Sequence, residues 1–298
     1  MAQTLIEFAK TVQDPLRKGI IETLYTEMRL MQYIPFRDVN GLALPYNQEE
    51  SLPAVSFRNL NEGFTETTGV VNRKVETLKP FGADSDTDTV LVDAYGNAER
   101  VSRDTMHAKA QAVKFVQTML YGNSPDSRAG TAFDDVKGFD GIQARLTSGQ
   151  IIDGGGTAGS GGSSVFAIKF GDGYCQGLQT PKGLNARDLG EQDSKPVYRT
   201  RIDWTTGFAI YHGMAAAMIW NLEATVDVLT ESLMDQLVDL IGGDPSVIVM
   251  SKRSRRQLKD DLSGDFQQTL DQVGRPVPAW NGVPIIVDDC IIDTEVTS

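Results

Sequence analysis

Residues 44–88 constrain this chain most, because they alternate like a pair of strands yet present no face apolar enough to cover a core. Val55 and Phe57 alternate with Ser56 and Arg58, and Val71, Arg73 and Val75 with Asn72, Lys74 and Glu76. The intervening stretch 61–68, with Gly63, has turn composition. This predicts two strands joined by a loop. Arg58, Arg73, Lys74, Glu76 and Lys79 lie on the faces, and an isolated two-stranded ribbon is marginal in water. Such a ribbon needs a second surface, either its own domain, on which it would lie flat, or another subunit. Phe57, Arg58, Arg73, Lys74 and Glu76 are therefore candidate inter-subunit contacts.

The rest of the chain supplies ordinary folding signals. Leu5, Phe8, Val12, Leu16, Ile20, Leu24, Met28 and Met31 recur every three or four positions, with Asp14-Pro15 as an N-cap and a first-turn proline. They predict a short helix, a break, and a helix over 14–32 whose apolar face docks on its own core. Residues 102–121 form the clearest helix: Ser102 as N-cap, Asp104 in the first turn, Met106, Ala110, Val113, Val116 and Leu120 inward, and a stop at 121–125. At ~1.5 Å per residue it spans about 30 Å. The GGGTAGSGGSS run at 154–164 predicts a loop, 165–170 a strand and 197–210 a strand pair. A helix follows at 226–241, closed by Gly242-Gly243, then a buried strand at 246–250, a basic helix at 252–262 and a strand at 283–287 behind Asn281-Gly282. Long helices, ribbons and short buried strands without a βαβ rhythm indicate an α+β fold.

Function classes narrow by exclusion. With 28 Lys plus Arg against 40 Asp plus Glu, the net charge is −12 over 298 residues, which argues against gripping nucleic acid over the whole surface. The start of the chain carries Glu7 and Lys10 where a signal peptide would be apolar. The longest apolar stretch, 208–222, is interrupted by His212 and Asn221 and is too short to span a membrane. A soluble protein in a reducing compartment is expected. Cys175 and Cys290 lack a partner motif, and His107 and His212 lack metal-site spacing. The glycine-rich run lacks the lysine of a P-loop. Asp84, Asp86 and Asp88 begin like a calcium loop, but Thr89 and Tyr95 stand where glycine and glutamate are needed. Asp288 and Asp289 would point to opposite sides of a strand, so a loop-capping role is expected. Lys252, Arg253, Arg255 and Arg256 form a dense basic cluster, a candidate contact for phosphate or for a neighbouring subunit. No catalytic residue, cofactor or metal ligand is assigned, and a non-enzyme is expected.

Several stretches, in their order, carry a resemblance: LKPFGADSDTDTVLV at 78–92, MLYGNS at 119–124, GFDGI at 138–142, GLQTPKGLNARDLGE at 177–191, YRTRIDWTTGFAI at 198–210, IWNLE at 219–223 and WNGVPIIVDD at 280–289. The chain resembles the major capsid proteins of tailed bacteriophages with the Hong Kong 97 fold, in the branch typified by podovirus epsilon fifteen. The resemblance implies an N-terminal arm at 1–44, an extended loop at 45–98, and a peripheral domain at 99–225 with its spine helix at 101–121. It further implies an axial domain at 226–280 and a return strand at 281–298. It also implies self-assembly into hexamers and pentamers of an icosahedral phage head around double-stranded DNA held by weak contacts. A portal protein and separate scaffolding and decoration proteins are the implied partners, with the virion as the location and the host cytoplasm during assembly. An encapsulin-type compartment shell is the alternative, and a soluble enzyme a distant one. The stretch IYHGMAAAMI at 210–219 departs from the family pattern, so contacts there are not carried over.

Overall fold

The computed structural model describes residues 3–123, 137–157, 159–192, 195–242, 244–262 and 266–296. The helices among them are α1 (Leu5–Thr11), α2 (Pro15–Glu27), α3 (Thr89–Tyr95), α4 (Asn97–Tyr121), α5 (Ile142–Arg145), α6 (Glu231–Leu240) and α7 (Lys252–Asp261). The strands are β1 (Gln3–Thr4), β2 (Pro35–Asp38), β3 (Ala43–Ser51), β4 (Val70–Thr77), β5 (Lys79–Asp88), β6 (Ile151–Asp153), β7 (Ser163–Ile168) and β8 (Cys175–Gln179). They continue with β9 (Asn185–Gln192), β10 (Lys195–Ile210), β11 (Ala216–Leu222), β12 (Val247–Met250), β13 (Gln267–Leu270), β14 (Pro276–Trp280) and β15 (Val283–Val287). The α+β class holds, with parallel pairings at β2–β8, β6–β11 and β12–β15 set among antiparallel ones. Among the described residues no helix is long and apolar enough to cross a membrane.

Two sheets and a ribbon make up the molecule. One sheet runs β1-β2-β8-β10-β5, with β9 also on β10; the other runs β13-β14-β15-β12-β7-β11-β6; β3 and β4 pair only with each other. The centre of the seven-stranded sheet is buried on both faces, and the strand period of two sorts its side chains between two cores. Phe166, Ile168, Met218, Val247 and Val249 join the core with α1, α2 and α4. Val165, Ala167, Ile219, Ile248 and Met250 join the core under α6 and α7. The turn between β14 and β15 is Asn281-Gly282, both left-handed (φ 49° and 84°), the pairing that a two-residue hairpin demands.

The first forty residues are built into the body. Asp14 Oδ1 accepts from Leu16 N (3.1 Å) with Pro15 next, as the sequence predicts, and Ile20, Ile21, Leu24, Leu30 and Met31 are buried in the larger core. The helix stops at Glu27, and a 3-10 turn at Arg29–Gln32 replaces its last expected turn.

Several expectations need correction. Helix α4 starts at Asn97 behind Gly96 (φ 79°), so Ser102 lies inside it and does not cap it. Val116 and Leu120 are inward as expected, together with Asp104, Ala108, Gln111, Ala112, Phe115 and Met119, whereas Met106 and Ala110 are exposed. Aromatic packing fixes that rotation: Phe115 stacks on Trp204 (5.1 Å) and meets Phe36 (5.9 Å) and Phe139 (5.8 Å), a larger apolar burial than Met106 offers. Gly122 does close the helix, while Ser124 and Pro125 lie outside the described residues, as does Gly243. Val55 and Phe57 are not in a strand; the first ribbon strand is β3, and pairing stops after Ser51, where Leu52-Pro53 follows and proline has no N–H to donate. The expected strand pair at 197–210 is part of one strand, the sixteen-residue β10, which changes partners along its length. Helix α6 starts at Glu231, with Thr230 Oγ1 accepting from Leu233 N (3.4 Å), and Val226 is exposed in the loop before it.

Candidate assembly surfaces

The ribbon has a fixed root and an uncovered tip. At the root, Arg145 of α5 grips Glu76 of β4 in a two-pronged pair, Nη1 to Oε1 and Nη2 to Oε2 both at 2.9 Å, with both side chains largely buried. The Tyr46 hydroxyl sits between Glu76 Oε1 (3.1 Å) and the Ile210 carbonyl (2.9 Å), and its ring meets Tyr211 edge-on at 4.8 Å. Burial, and then the Glu76 charge, raise the Tyr46 pKa, so the hydroxyl stays a donor. Grooves of about 720 and 640 Å³ flank this root, the first lined by Lys74, Glu76 and Arg145, the second by Arg37, Leu52 and His212.

Beyond Ser51 the chain is without regular structure until Val70. Leu52, Val55, Phe57, Leu60 and Phe64 all face solvent there, Phe57 fully so and Val55 and Leu60 at 95%. Arg58 lies over the Phe64 ring (4.9 Å) and donates to the Glu62 carbonyl (3.0 Å), which shapes the tip. Five large apolar side chains are thus exposed on one loop of the ribbon. Of the residues singled out from sequence, Phe57, Arg58, Arg73 and Lys74 are exposed on the ribbon, while Glu76 is engaged at the root.

The basic cluster divides in the same way. Ser251 caps α7, with its Oγ accepting from Ser254 N (3.1 Å). Lys252 pairs with Asp289 (2.7 Å), and Arg253 turns inward to the carbonyls of Leu222 (3.2 Å) and Asp293 (3.3 Å). Arg255 and Arg256 are exposed, Arg255 together with Lys259 on a cavity of about 410 Å³ that Phe266 and Pro278 also line.

Other polar residues explain themselves within the fold. The aspartates 84 and 86 sit opposite Arg201 and Arg199 across β5 and β10: Asp86 takes two bonds of 2.6 Å from Arg199, and Asp84 takes bonds of 2.7 and 2.8 Å from Arg201. The Arg201 bonds hold the Asp84 carboxyl below its usual range. Arg100 does the same for Asp188 (2.5 Å) while lying over Tyr198. Asp88 caps α3 through Val90 N (2.9 Å), and Asp288 accepts from Cys290 N (2.8 Å), the capping role expected of it. Among the described residues no three metal-ligating side chains gather. Both cysteines are buried, and burial pushes both thiols up.

One buried group escapes sequence reasoning. Glu295, 1% exposed, accepts from the Tyr121 hydroxyl (2.9 Å) and the Ser164 hydroxyl (2.5 Å), joining a C-terminal segment to the end of α4 and to β7. Burial pushes its carboxyl up to about 7 against the opposing pull of those two bonds.

Comparison with known proteins gives this geometry a context. A family model described as "Major capsid protein GP7" matches residues 13–297. Among solved structures, the bacteriophage Epsilon15 structure aligns with TM-score 0.58 at 16% identity, covering 88% of this chain and 87% of that one. The bacteriophage JBD30 capsid aligns at 0.50 and 12% identity, covering 86% and 88%. The JBD30 procapsid aligns at 0.50 and 10% identity, covering 94% and 100%. No curated protein sequence matches.

Proposed function

The chain belongs to the major capsid protein GP7 family and is a phage head shell protein, and on that premise we propose how it builds the shell. Subunits associate through the ribbon into hexamers and pentamers that close an icosahedron around double-stranded DNA. The observation that carries this reading is the ribbon itself: a rigidly held root and a tip with five exposed apolar side chains, which gains its burial only from another copy. Each subunit makes several modest contacts, and the closed shell gains stability from all of them together.

In this reading residues 1–44 correspond to the arm, 45–98 to the extended loop, 99–225 to the peripheral domain, 226–280 to the axial domain and 281–298 to the return strand. The core beneath α6 and α7 joins the apolar residues of 226–280 to strands β7, β11 and β15. The role is structural and not enzymatic. Portal, scaffolding and decoration proteins complete the particle, which forms in the host cytoplasm. DNA is held by weak contact, in keeping with the net charge of −12 and the division of the basic cluster between internal pairs and exposed arginines.

Negative-stain electron microscopy of the purified chain, alone and co-expressed with scaffolding candidates, tests the proposal. Uniform polyhedra or capsomer rings are expected. A stable monomer under every condition, with residues 52–69 protected from protease, would overturn it.

A further inference from the structure

A small cavity of about 240 Å³ opens beside the root of the ribbon, where β5 begins and α4 nears its end. Phe81, Phe115 and Phe139 line it, and Lys79, Lys114 and Lys137 stand around them. The volume is below the ~300 Å³ at which small-molecule pockets begin, yet it suits a single aromatic anchor of the kind that dominates protein interfaces. The ribbon tip offers the complement. Phe57 is fully exposed, and Glu62 and Glu66 are exposed on the same loop, while Arg58 is drawn over Phe64.

In the subunit itself the tip does not fill the cavity, since Phe57 is fully exposed. Strand β4 ends at Thr77 and the cavity begins at Lys79, so the cavity is at the root, whereas Phe57 lies beyond the nine residues of β3. At ~3.3 Å per residue those nine residues span about 30 Å. The Arg145–Glu76 pair and the Tyr46 bonds keep the root from folding over.

We propose that Phe57 of one copy inserts into the Phe81–Phe115–Phe139 cavity of the next copy, with Glu62 and Glu66 meeting Lys79, Lys114 and Lys137. A contact between the tip of one subunit and the root of the next is head-to-tail, and head-to-tail contacts close into rings when the rotation between copies permits. The inference deepens the proposed shell function and rests on it.

Disulfide trapping tests it in the full chain. In assembled particles of the double variant Ser56→Cys with Lys114→Cys, which keeps the Phe57 ring and places a thiol beside it, mild oxidation should give a ladder of covalent oligomers on a non-reducing gel. The control pair Ser56→Cys with Arg255→Cys should give at least tenfold less, and the native cysteines stay silent because both are buried. As a second measurement, Lys114→Glu with Lys137→Glu should lower particle yield at least tenfold, and adding Glu62→Lys with Glu66→Lys should restore it. Particles that form with no ladder above the control, or a yield that the added lysines do not restore, would overturn the inference and leave the shell function standing. A parent chain that forms no particles even with scaffolding partners would overturn the shell function and the inference with it.

Discussion

Valines 247 and 249 of β12 are completely buried, whereas Val71 and Val75 of β4 are more than half exposed. The same residue type, in strands of the same geometry, thus stabilises the monomer in one region and leaves apolar surface open in the other. The difference lies in the company each strand keeps. β12 is central in a sheet with a core on either face, and each buried valine contributes roughly 1.5–3 kcal/mol relative to exposure. β4 pairs with β3 alone, and its outer valines stay open to solvent.

The contrast is broken most severely from the sheet side. Phe166→Ala removes a fully buried ring that meets Tyr121 edge-on (5.6 Å) and should cost about 3–5 kcal/mol in denaturant unfolding of the monomer. Glu295→Gln comes next and has a sign. When folded, the carboxyl keeps its proton up to about pH 7; its ordinary value is 4.5. Across that window the folded state binds more protons than the unfolded one, so the parent loses stability as pH rises and has lost this contribution above pH 7. The variant should lack that slope and exceed the parent at pH 8 by up to ~3 kcal/mol, with near equality at pH 5. Denaturation midpoints measured across pH 4–9 check both statements, and a parent curve flat from pH 5 to 8 would refute the assignment.

Arg145→Ala sharpens the comparison at the boundary between the two regions. It leaves the Glu76 carboxylate half-buried without its guanidinium and should cost about 1.5–3 kcal/mol. The same change should speed limited proteolysis within 43–77 while cuts elsewhere keep their rate. Phe57→Ser should change monomer stability by less than about 0.5 kcal/mol, since the ring touches solvent only, yet reduce particle yield sharply. A monomer destabilised by as much as the Phe166 variant would mean that the tip packs within its own subunit.

What could be read from sequence follows the range of the interactions involved. The Asp14-Pro15 start, the start of α7 at Lys252, the buried strand at β12 and the strand behind Asn281-Gly282 rest on neighbours within a few positions, and each is where the sequence predicts it. The rotation of α4 is set by Trp204 and Phe36, both remote in sequence, which is why Met106 reads inward and stands outward. The alternation of Asp84 and Asp86 is plain in the sequence, but their partners are 117 and 113 residues away. In the same way Glu76 reads as a free ribbon charge because Arg145 is 69 residues downstream. Sequence located the ribbon; the clamp that holds its root depends on contacts that only folding brings together.

The order of strands in the seven-stranded sheet also carries a consequence in time. β12 lies beside β7 and β15, and β11 beside β6 and β7, so the central pairings join segments that are far apart along the chain. Pairings of that kind are slow, on the order of milliseconds to seconds, whereas a hairpin closes in roughly 1–10 μs. The ribbon pairs only within itself and does not wait for those pairings, although its root is clamped only once Arg145 and the Ile210 carbonyl are in place. Completion of the body does not end the exposure of the tip, which faces solvent in the folded monomer as well.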